Sequence, residues 1–317
     1  MALDPMGKTV VMRPDLIIDC DPGHDDAMAI CVGANRGHLI GVTTVAGNVS
    51  LEHTTNNALA VVQMLGLDIE VHSGAAGPIN GDAGRFASFV HGENGLIGAT
   101  LPEVTRQVAS TDAASYILSA TMENPGAWIV AIGPLTNIAT ALKRDPALID
   151  RISGISIMGG GTYGNITAAA EFNIHFDPEA AEIVFNSGAR ILQCGLDVTH
   201  QLLVTDALVE ATAQIGNEFG RFSNGLLSGY LENIRLLTGE GLEAVLHDPC
   251  AVLATTDPEI FEFADRYVAV ETRGEHTRGM TLVDQRSWMR GGPVKWAETI
   301  DAERATEIIL SAITAAP

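Results

Sequence analysis

Short, continuous apolar runs alternate along this chain with longer stretches in which apolar residues recur at helical spacing. The runs predict buried strands at 16–20, 39–45, 69–72, 128–132, 155–158 and 191–194. The stretches predict helices at 25–35, 51–65, 112–122, 134–143, 178–186, 205–237, 248–255 and 302–313. Because strands and helices alternate, we expect an α/β fold with a doubly wound, mostly parallel sheet flanked by helices.

One long segment interrupts this alternation. Residues 74–102 are rich in Gly, Pro and Asn and show no clear period, which is typical of a functional loop or lid. Neither an internal repeat nor a convincing linker divides the chain. We therefore expect a single domain over 1–317, in which 1–14 form a flexible N-terminus.

The composition narrows the choice of partners and compartment. The formal net charge of −21, from 39 acidic and 18 basic residues, repels nucleic acid. The 4 cysteines form no C-x-x-C pair, as expected of buried thiols in a reducing compartment. Residues 1–12 lack the apolar core of a signal peptide, and no apolar run has the length of a membrane span. We expect a cytoplasmic protein that binds neither nucleic acid nor membranes.

Acidic residues crowd the segment that follows the first predicted strand, where Asp19, Asp21, Asp25 and Asp26 occur close together. Ligands of parallel sheets bind outside the carboxyl ends of the strands. Carboxylates in the first turn of a helix gain only ~0.3–1 kcal/mol from the helix dipole, which does not offset the burial of several like charges.

A hard cation with oxygen ligands would offset that burial, so the segment predicts a metal site. Zinc would favour His and Cys ligands, and the spacing does not fit an EF-hand loop. Helix capping on a solvated loop is the alternative, and it explains one of these aspartates but not all of them.

Several separated segments of this chain, in the same order, resemble the motifs of the inosine–uridine nucleoside hydrolases. They are Asp19-Cys20-Asp21-Pro22-Gly23-His24-Asp25-Asp26-Ala27, Val45-Ala46-Gly47-Asn48, Ile132-Gly133-Pro134-Leu135-Thr136-Asn137, Met158-Gly159-Gly160, Glu171-Phe172-Asn173 with Asp177-Pro178-Glu179-Ala180, and His247-Asp248-Pro249-Cys250. The resemblance spans most of the chain and is more specific than any single motif.

The resemblance implies a calcium ion and a set of roles around it. The implied calcium ligands are Asp21, Asp26, Asp248 and the backbone carbonyl of Ile132. Asp21 would also be the general base toward the attacking water. The implied ribose contacts are Asp25, Asn48, Asn165, Glu171 and Asn173. His91 and His247 would face the base, and an imidazolium at His247 could protonate the departing base.

Other interpretations of single residues stay open. Asn165 beside Gly164 also fits a turn, and Asp248 followed by Pro249 also fits a helix N-terminus. Residues 220–245 are expected to shape the base pocket. The candidate base contacts there are Tyr230, Asn233 and Arg235.

The sequence thus predicts a calcium-dependent hydrolase of the ribonucleoside N-glycosidic bond, acting in nucleoside salvage on inosine and uridine with broad base tolerance. The resemblance implies a homodimer or homotetramer. A pyrimidine-specific hydrolase of the same family is the first alternative. A phosphatase similar to the haloacid dehalogenases, suggested by Asp19-Cys20-Asp21 after an apolar strand, and a nucleoside-binding protein without catalysis are the others.

Overall fold

The computed structural model describes residues 13–81, 86–87, 90, 92–239, 243–289 and 291–317. It also gives the course of β1 (Ala2–Leu3) and β2 (Thr9–Val10), which pair antiparallel. Apart from these two strands, the predicted N-terminal segment up to residue 12 lies outside the described residues.

An eight-stranded sheet forms the centre of the fold. Its strands are β3 (Asp15–Cys20), β4 (His38–Thr44), β5 (Glu70–Ser73), β6 (Trp128–Ala131), β7 (Gly154–Met158), β8 (Ile191–Cys194), β9 (Phe261–Arg266) and β12 (Val294–Ile300). Their order is β5-β4-β3-β6-β7-β8-β12-β9, and every neighbouring pair is parallel except β12 with β9. The pair β10 (Val268–Val270) and β11 (Thr281–Val283) forms a separate antiparallel ladder.

Helices cover both faces of this sheet. They are α1 (His24–Arg36), α2 (Leu51–Met64), α3 (Ala113–Glu123), α4 (Thr136–Arg144), α5 (Leu148–Arg151), α6 (Phe172–Phe176), α7 (Pro178–Phe185), α8 (Leu196–Thr199), α9 (Asp206–Ala213), α10 (Glu218–Thr238), α11 (Asp248–Thr256) and α12 (Ala302–Ala315). Among the described residues, none of these helices has both the length and the apolar character of a membrane span.

Alternate residues of the central strand β3 divide the core into two layers. Leu16 and Ile18 pack with α1, α2, α10, α11 and α12, whereas Ile17 packs with α3, α4 and α7. Successive side chains of a strand point to opposite faces, so each face of the sheet buries its own layer of helices. The predicted α/β fold with a doubly wound, mostly parallel sheet is confirmed.

The strands at one side of the sheet were not predicted. In β12, buried residues alternate with the exposed Lys295 and Glu298, and β9 lies at the edge, so neither forms a continuous apolar run.

The helical stretch 205–237 is two helices rather than one. The Thr205 hydroxyl accepts from the Leu208 amide at 3.1 Å to start α9, and the Asn217 side chain accepts from the Gly220 amide at 2.6 Å to start α10.

The packing of α3 on β4 gives a first testable prediction. A Cβ atom at Gly41 would overlap the ring of Tyr116, whose hydroxyl donates to the Ile40 carbonyl at 3.0 Å. Gly41→Ala is therefore expected to lower the free energy of unfolding by about 1–3 kcal/mol, measured by urea denaturation. Gly216→Ala is the matched control, because open space surrounds that glycine. Equal stability of the two variants would contradict this account of the packing.

Candidate active site

The carboxyl ends of the parallel strands bring the acidic and amide side chains to one edge of the sheet. Asp21 follows β3, Asn48 follows β4 and Ile132 follows β6. Asp248 reaches the same edge as the first residue of α11. A cavity of about 620 Å³ opens there, within the range usual for small-molecule sites.

Asp25 and Asp248 line the cavity, and the buried Asp26 lies beside them without lining it. Carboxylate oxygens of Asp25, Asp26 and Asp248 all lie within 4.8 Å of one another. Burial, followed by the negative charge of Asp26, raises the pKa of Asp25 to about 7. Burial also raises the pKa of Asp26 to about 6 and that of Asp248 well above its usual range.

No positive side chain balances these carboxylates. Within the described part of the chain, neither Lys nor Arg forms an ion pair with Asp21, Asp25, Asp26 or Asp248. The raised pKa values of Asp26 and Asp248 favour a proton on one of these neighbouring carboxyl groups. An all-oxygen group of this kind suits a hard cation, and a cation would take the place of that proton.

Asp21 lies beside this group rather than in it. One of its carboxylate oxygens accepts from the Asn48 backbone amide at 2.7 Å. A Cβ atom at Gly47 or at Gly133 would collide with the same carboxylate, so both glycines let the backbone approach it closely. Burial, then the charge of Asp26, raises the pKa of Asp21. The structure thus groups Asp25, the expected ribose contact, with the expected ligands Asp26 and Asp248.

Asp19 supports the site from behind and does not line the cavity. Its Oδ1 accepts from the Thr43 hydroxyl at 2.5 Å and from the Asn137 amide at 2.8 Å. Its Oδ2 has no hydrogen-bond partner among the described residues. Burial raises the pKa of Asp19 to about 7, which favours the protonated carboxyl.

The expected ribose contacts gather on one wall, and α6 places two of them there. Glu171 starts α6, and its carboxylate accepts from the amides of Asn173 at 2.9 Å and Ile174 at 3.1 Å. The same carboxylate accepts from the Gly160 amide at 2.9 Å, and burial raises its pKa. The Asn173 side chain donates to the Ile132 carbonyl at 3.0 Å.

Asn165 also lines the cavity, and it has a local structural role as well. Its side-chain oxygen accepts from the Phe172 amide at 3.0 Å, and its own amide donates to the Ala170 carbonyl at 3.2 Å. The turn expected at Asn165 is therefore compatible with a place in the site.

The histidines take different places. The His247 amide donates to Asp25 at 3.1 Å, its Nδ1 lies 2.7 Å from the Thr199 hydroxyl, and its ring lines the cavity. His24 is buried and stacks on Tyr230 with ring centroids 4.7 Å apart, and burial lowers the pKa of His24 to about 4. His91 lies outside the described residues.

Of the three candidate base contacts on α10, only one lines the cavity, so the predicted base pocket is corrected. Tyr230 lines it as expected, but Asn233 and Arg235 do not. The Asn233 side chain donates to the Val90 carbonyl at 2.7 Å, and Arg235 pairs with Asp206 at 2.9 Å. Arg235 lies on another face of α10 than Tyr230, whereas Asn233 is a neighbour of Tyr230 on the helix surface and is held by the carbonyl of Val90, which lines the cavity.

Several lining residues were missed from the sequence. Tyr163, Ile166 and His200 were not expected there, and Phe172 lies in a predicted motif without an assigned role. Ile234, Leu237, Thr238, Glu243 and Val245 fall within 220–245, the segment expected to shape the base pocket, although none of them was named individually. His200 follows α8, which leaves the carboxyl end of β8, and that position was the one signal that could have found it. The apolar members carry no motif, because a residue facing a cavity has the same hydrophobic pattern as one facing the core.

A doubly wound sheet with a buried acidic cluster and a ligand-sized cavity at its carboxyl edge defines an α/β enzyme with a site of the kind that holds a cation. The sequence profile of the family described as inosine-uridine preferring nucleoside hydrolase matches residues 16–307. The chain belongs to this family of N-glycosyl hydrolases, as the motifs predicted. The phosphatase alternative is therefore wrong.

Named relatives agree with this family over nearly the whole chain. Uridine nucleosidase 1 of Arabidopsis thaliana is 39% identical, with 96% of this chain and 94% of the relative covered. The pyrimidine-specific ribonucleoside hydrolase RihA of Enterobacter sp. (strain 638) is 41% identical, with 92% and 95% covered. Both identities are high enough for the same fold and family.

Solved structures share the fold. A plant nucleoside hydrolase, the PpNRh1 enzyme, superposes with a TM-score of 0.88 at 36% identity, covering 95% of this chain and 99% of that chain. A purine-preferring ribonucleoside hydrolase from Gardnerella vaginalis gives a TM-score of 0.88 at 32% identity, covering 95% and 98%. The plant enzyme and the purine-preferring enzyme thus have the same TM-score to this chain.

The acidic cluster predicts how a cation changes stability with pH. The folded-state pKa values of Asp25 and Asp26, about 7 and about 6, exceed the ordinary value of 3.8. Without a cation the folded protein holds protons that the unfolded chain releases, so its stability falls as pH rises from about 4 to about 7. A bound divalent cation takes the place of those protons. The increase in Tm on adding the cation to chelator-treated protein should therefore grow from about pH 5 to about pH 7.5.

Asp248→Asn is the matched variant for this measurement, since it removes one carboxylate of the cluster. Its cation-induced increase in Tm should be small at every pH. A wild-type increase that does not change with pH would contradict cation binding at the cluster.

Proposed function

We propose that this chain hydrolyses ribonucleosides to free base and ribose, that calcium is its cation, and that inosine and uridine are its substrates. One observation carries the proposal: a single cavity joins the carboxylates and amides at the strand ends to the His247 ring and an apolar far wall. The polar end suits the ribose hydroxyls and the apolar end suits a planar base.

The residues present fit calcium. Carboxylate and carbonyl oxygens are its preferred ligands, and it accepts irregular geometry. Asp21, Asp26 and Asp248 would hold it, together with the Ile132 carbonyl that now accepts from Asn173. No His or Cys of the described residues belongs to the carboxylate group, which disfavours zinc. Bound calcium would orient the ribose hydroxyls and lower the pKa of a nearby water.

Asp21 would take a proton from the attacking water. Its carboxylate is fixed by the Asn48 amide at 2.7 Å and by the close backbone at Gly47 and Gly133, so its position does not depend on flexible contacts. Positioning of this kind compensates for the weak basicity of a carboxylate. Asp25, Asn48, Asn165, Glu171 and Asn173 would hold the ribose, and their carboxylates would stabilise the positive charge that develops on the sugar.

The departing base carries negative charge and needs a proton. His247 lines the same cavity as the carboxylates and is held through both its backbone amide and its Nδ1, which fixes the position of its ring at the site. We assign it the role of general acid. His91 stays a prediction.

A pyrimidine-specific hydrolase is the second candidate. None of the tryptophans in the described residues lines the cavity, and its aromatic lining consists of the smaller rings of Tyr163, Phe172 and Tyr230 with two histidines. The relatives named uridine nucleosidase 1 and pyrimidine-specific RihA support the same choice. The single domain, the cytoplasmic location, the role in nucleoside salvage and the homodimer or homotetramer stay predictions.

Base release from a nucleoside panel tests the function. Inosine, adenosine, guanosine, uridine and cytidine should be compared with calcium and with a chelator. Base release from uridine and inosine should require calcium, and Asp21→Ala should lower kcat by at least about 100-fold and weaken calcium binding. Asp68→Asn, at an exposed aspartate, is the control. Full activity of Asp21→Ala would overturn the assignment, and activity on uridine and cytidine alone would favour the second candidate.

The charge of the cavity predicts its response to phosphate. Its described lining contains Asp25, Glu171, Glu243 and Asp248 but neither Lys nor Arg. Uridine 5′-monophosphate should therefore have a kcat/KM at least about 100-fold below that of uridine, because like charges repel by several kcal/mol. Uncharged 5′-O-methyluridine controls for size and should lose much less. Comparable turnover of the monophosphate and uridine would contradict this view of the cavity.

A further inference from the structure

The histidine in the cavity is held by a short helix that the motifs do not include. Thr199 is the last residue of α8, and it is fully buried. Its hydroxyl lies 2.7 Å from Nδ1 of His247. On the other side, the His247 backbone amide donates to Asp25 at 3.1 Å. The ring is thus tied to α8 while its backbone is tied to the acidic cluster.

Helix α8 is itself held by hydrogen bonds to the segment around Gly160, whose amide binds Glu171. The Leu196 amide donates to the Gly160 carbonyl at 2.8 Å, and the Tyr163 hydroxyl donates to the Leu196 carbonyl at 3.2 Å. The Gly160 amide in turn donates to Glu171 at 2.9 Å. The Thr199 hydroxyl therefore lies on a helix whose backbone is fixed, through Gly160, to the proposed ribose contact Glu171.

We propose that Thr199 is a positioning residue for His247, whose hydroxyl holds Nδ1 so that Nε2 is the nitrogen presented to the leaving base. The inference rests on the proposed function, since it gives His247 a partner in that reaction. A histidine ring can rotate and can exchange tautomers, and the hydrogen bond at one nitrogen decides what the other nitrogen offers. The His200 ring, with its centroid 5.5 Å from that of His247, further restricts rotation.

The proposed reaction exchanges the bond between C1′ and the base for a bond between C1′ and a water oxygen. The bond between C1′ and the base nitrogen breaks, and its electron pair leaves with the base. The oxygen of water forms the new bond to C1′, and the proton of that water passes to Asp21. The imidazolium of His247 gives its Nε2 proton to the base and becomes a neutral imidazole whose Nδ1–H stays donated to the Thr199 hydroxyl oxygen, so base and ribose leave neutral. Thr199 transfers no proton to the substrate and acts only through His247.

Substitution of the hydroxyl tests the proposal. Thr199→Val keeps the shape of the side chain and removes the hydroxyl. It should lower kcat for uridine by about 10-fold with KM nearly unchanged, a loss typical of the partner that orients a functional histidine. Turnover of p-nitrophenyl riboside, whose leaving group needs no acid, should change by less than about twofold. Thr199→Ser should restore most of the uridine activity.

Thr121→Val is the matched control, because Thr121 is a buried threonine whose hydroxyl donates to the Ile117 carbonyl within α3. It should leave both substrates unaffected. An equal loss on both substrates in Thr199→Val, or no rescue by Thr199→Ser, would show a merely structural role and overturn the inference.

A double-mutant cycle separates this inference from the proposed function. If Thr199 acts through His247, Thr199→Val should cost nothing further for uridine in a His247→Ala background. If the losses in uridine hydrolysis from the two substitutions add, the role of Thr199 is overturned. The proposed function still stands in that case, provided that His247→Ala by itself slows hydrolysis of uridine much more than hydrolysis of p-nitrophenyl riboside. Equal losses on both substrates in His247→Ala would overturn the acid role of His247 and the inference with it. Absence of base release by the wild type would overturn the function itself.

Discussion

The burial of several carboxylates without a cationic side chain is the constraint on which this site depends. Asp21, Asp25, Asp26 and Asp248 are nearly inaccessible to water, and burial raises the pKa of each. A fold that depended on its own side chains would pair such charges with Arg or Lys or replace them with apolar residues. The surrounding backbone instead donates amides to them, as Gly23 and Asn48 do. The site is therefore suited to a cation. Without one, the buried charge at the edge of the sheet destabilises the fold, and the proposed function explains why it is present.

The same constraint explains why so much of the local sequence is small or amide-bearing. Gly47 and Gly133 lie against Asp21, where no Cβ could fit. Asn137 reaches under the loop to donate both to Asp19 and to the Thr44 carbonyl, and so ties β3 to β4 behind the carboxylates. These residues touch no substrate in the proposed reaction. They keep the acidic side chains in one arrangement, so that the repulsion among those side chains does not drive the strand ends apart.

The part of the fold that follows from local pattern could be predicted from the sequence. Apolar runs such as that of β3, buried on both faces, predicted six of the seven parallel strands at their correct places, and the dense aspartates predicted the acidic cluster. The strand β12 could not be found in this way, because it alternates buried and exposed residues although it lies inside the sheet. Helix α6 was missed because it has only five residues, and its start depends on a hydrogen bond from Asn173 to Glu171 rather than on periodicity.

The far wall of the cavity shows where local pattern stops being informative. The spacing of Tyr230, Ile234 and Leu237 on α10 is that of one helical face, and such a face is as well suited to a protein core as to a ligand. Only the position of α10 beside the cavity makes that face a cavity wall, and at that position Asn233 donates to Val90 while Arg235 pairs with Asp206. The residues that we propose to hold the ribose and the cation come from motifs at strand ends, whereas the other residues of the cavity lining come from helix faces and loops. The sequence motifs therefore carry information on the chemistry of bond cleavage, whereas the choice of base depends on residues whose pattern does not differ from that of a protein core.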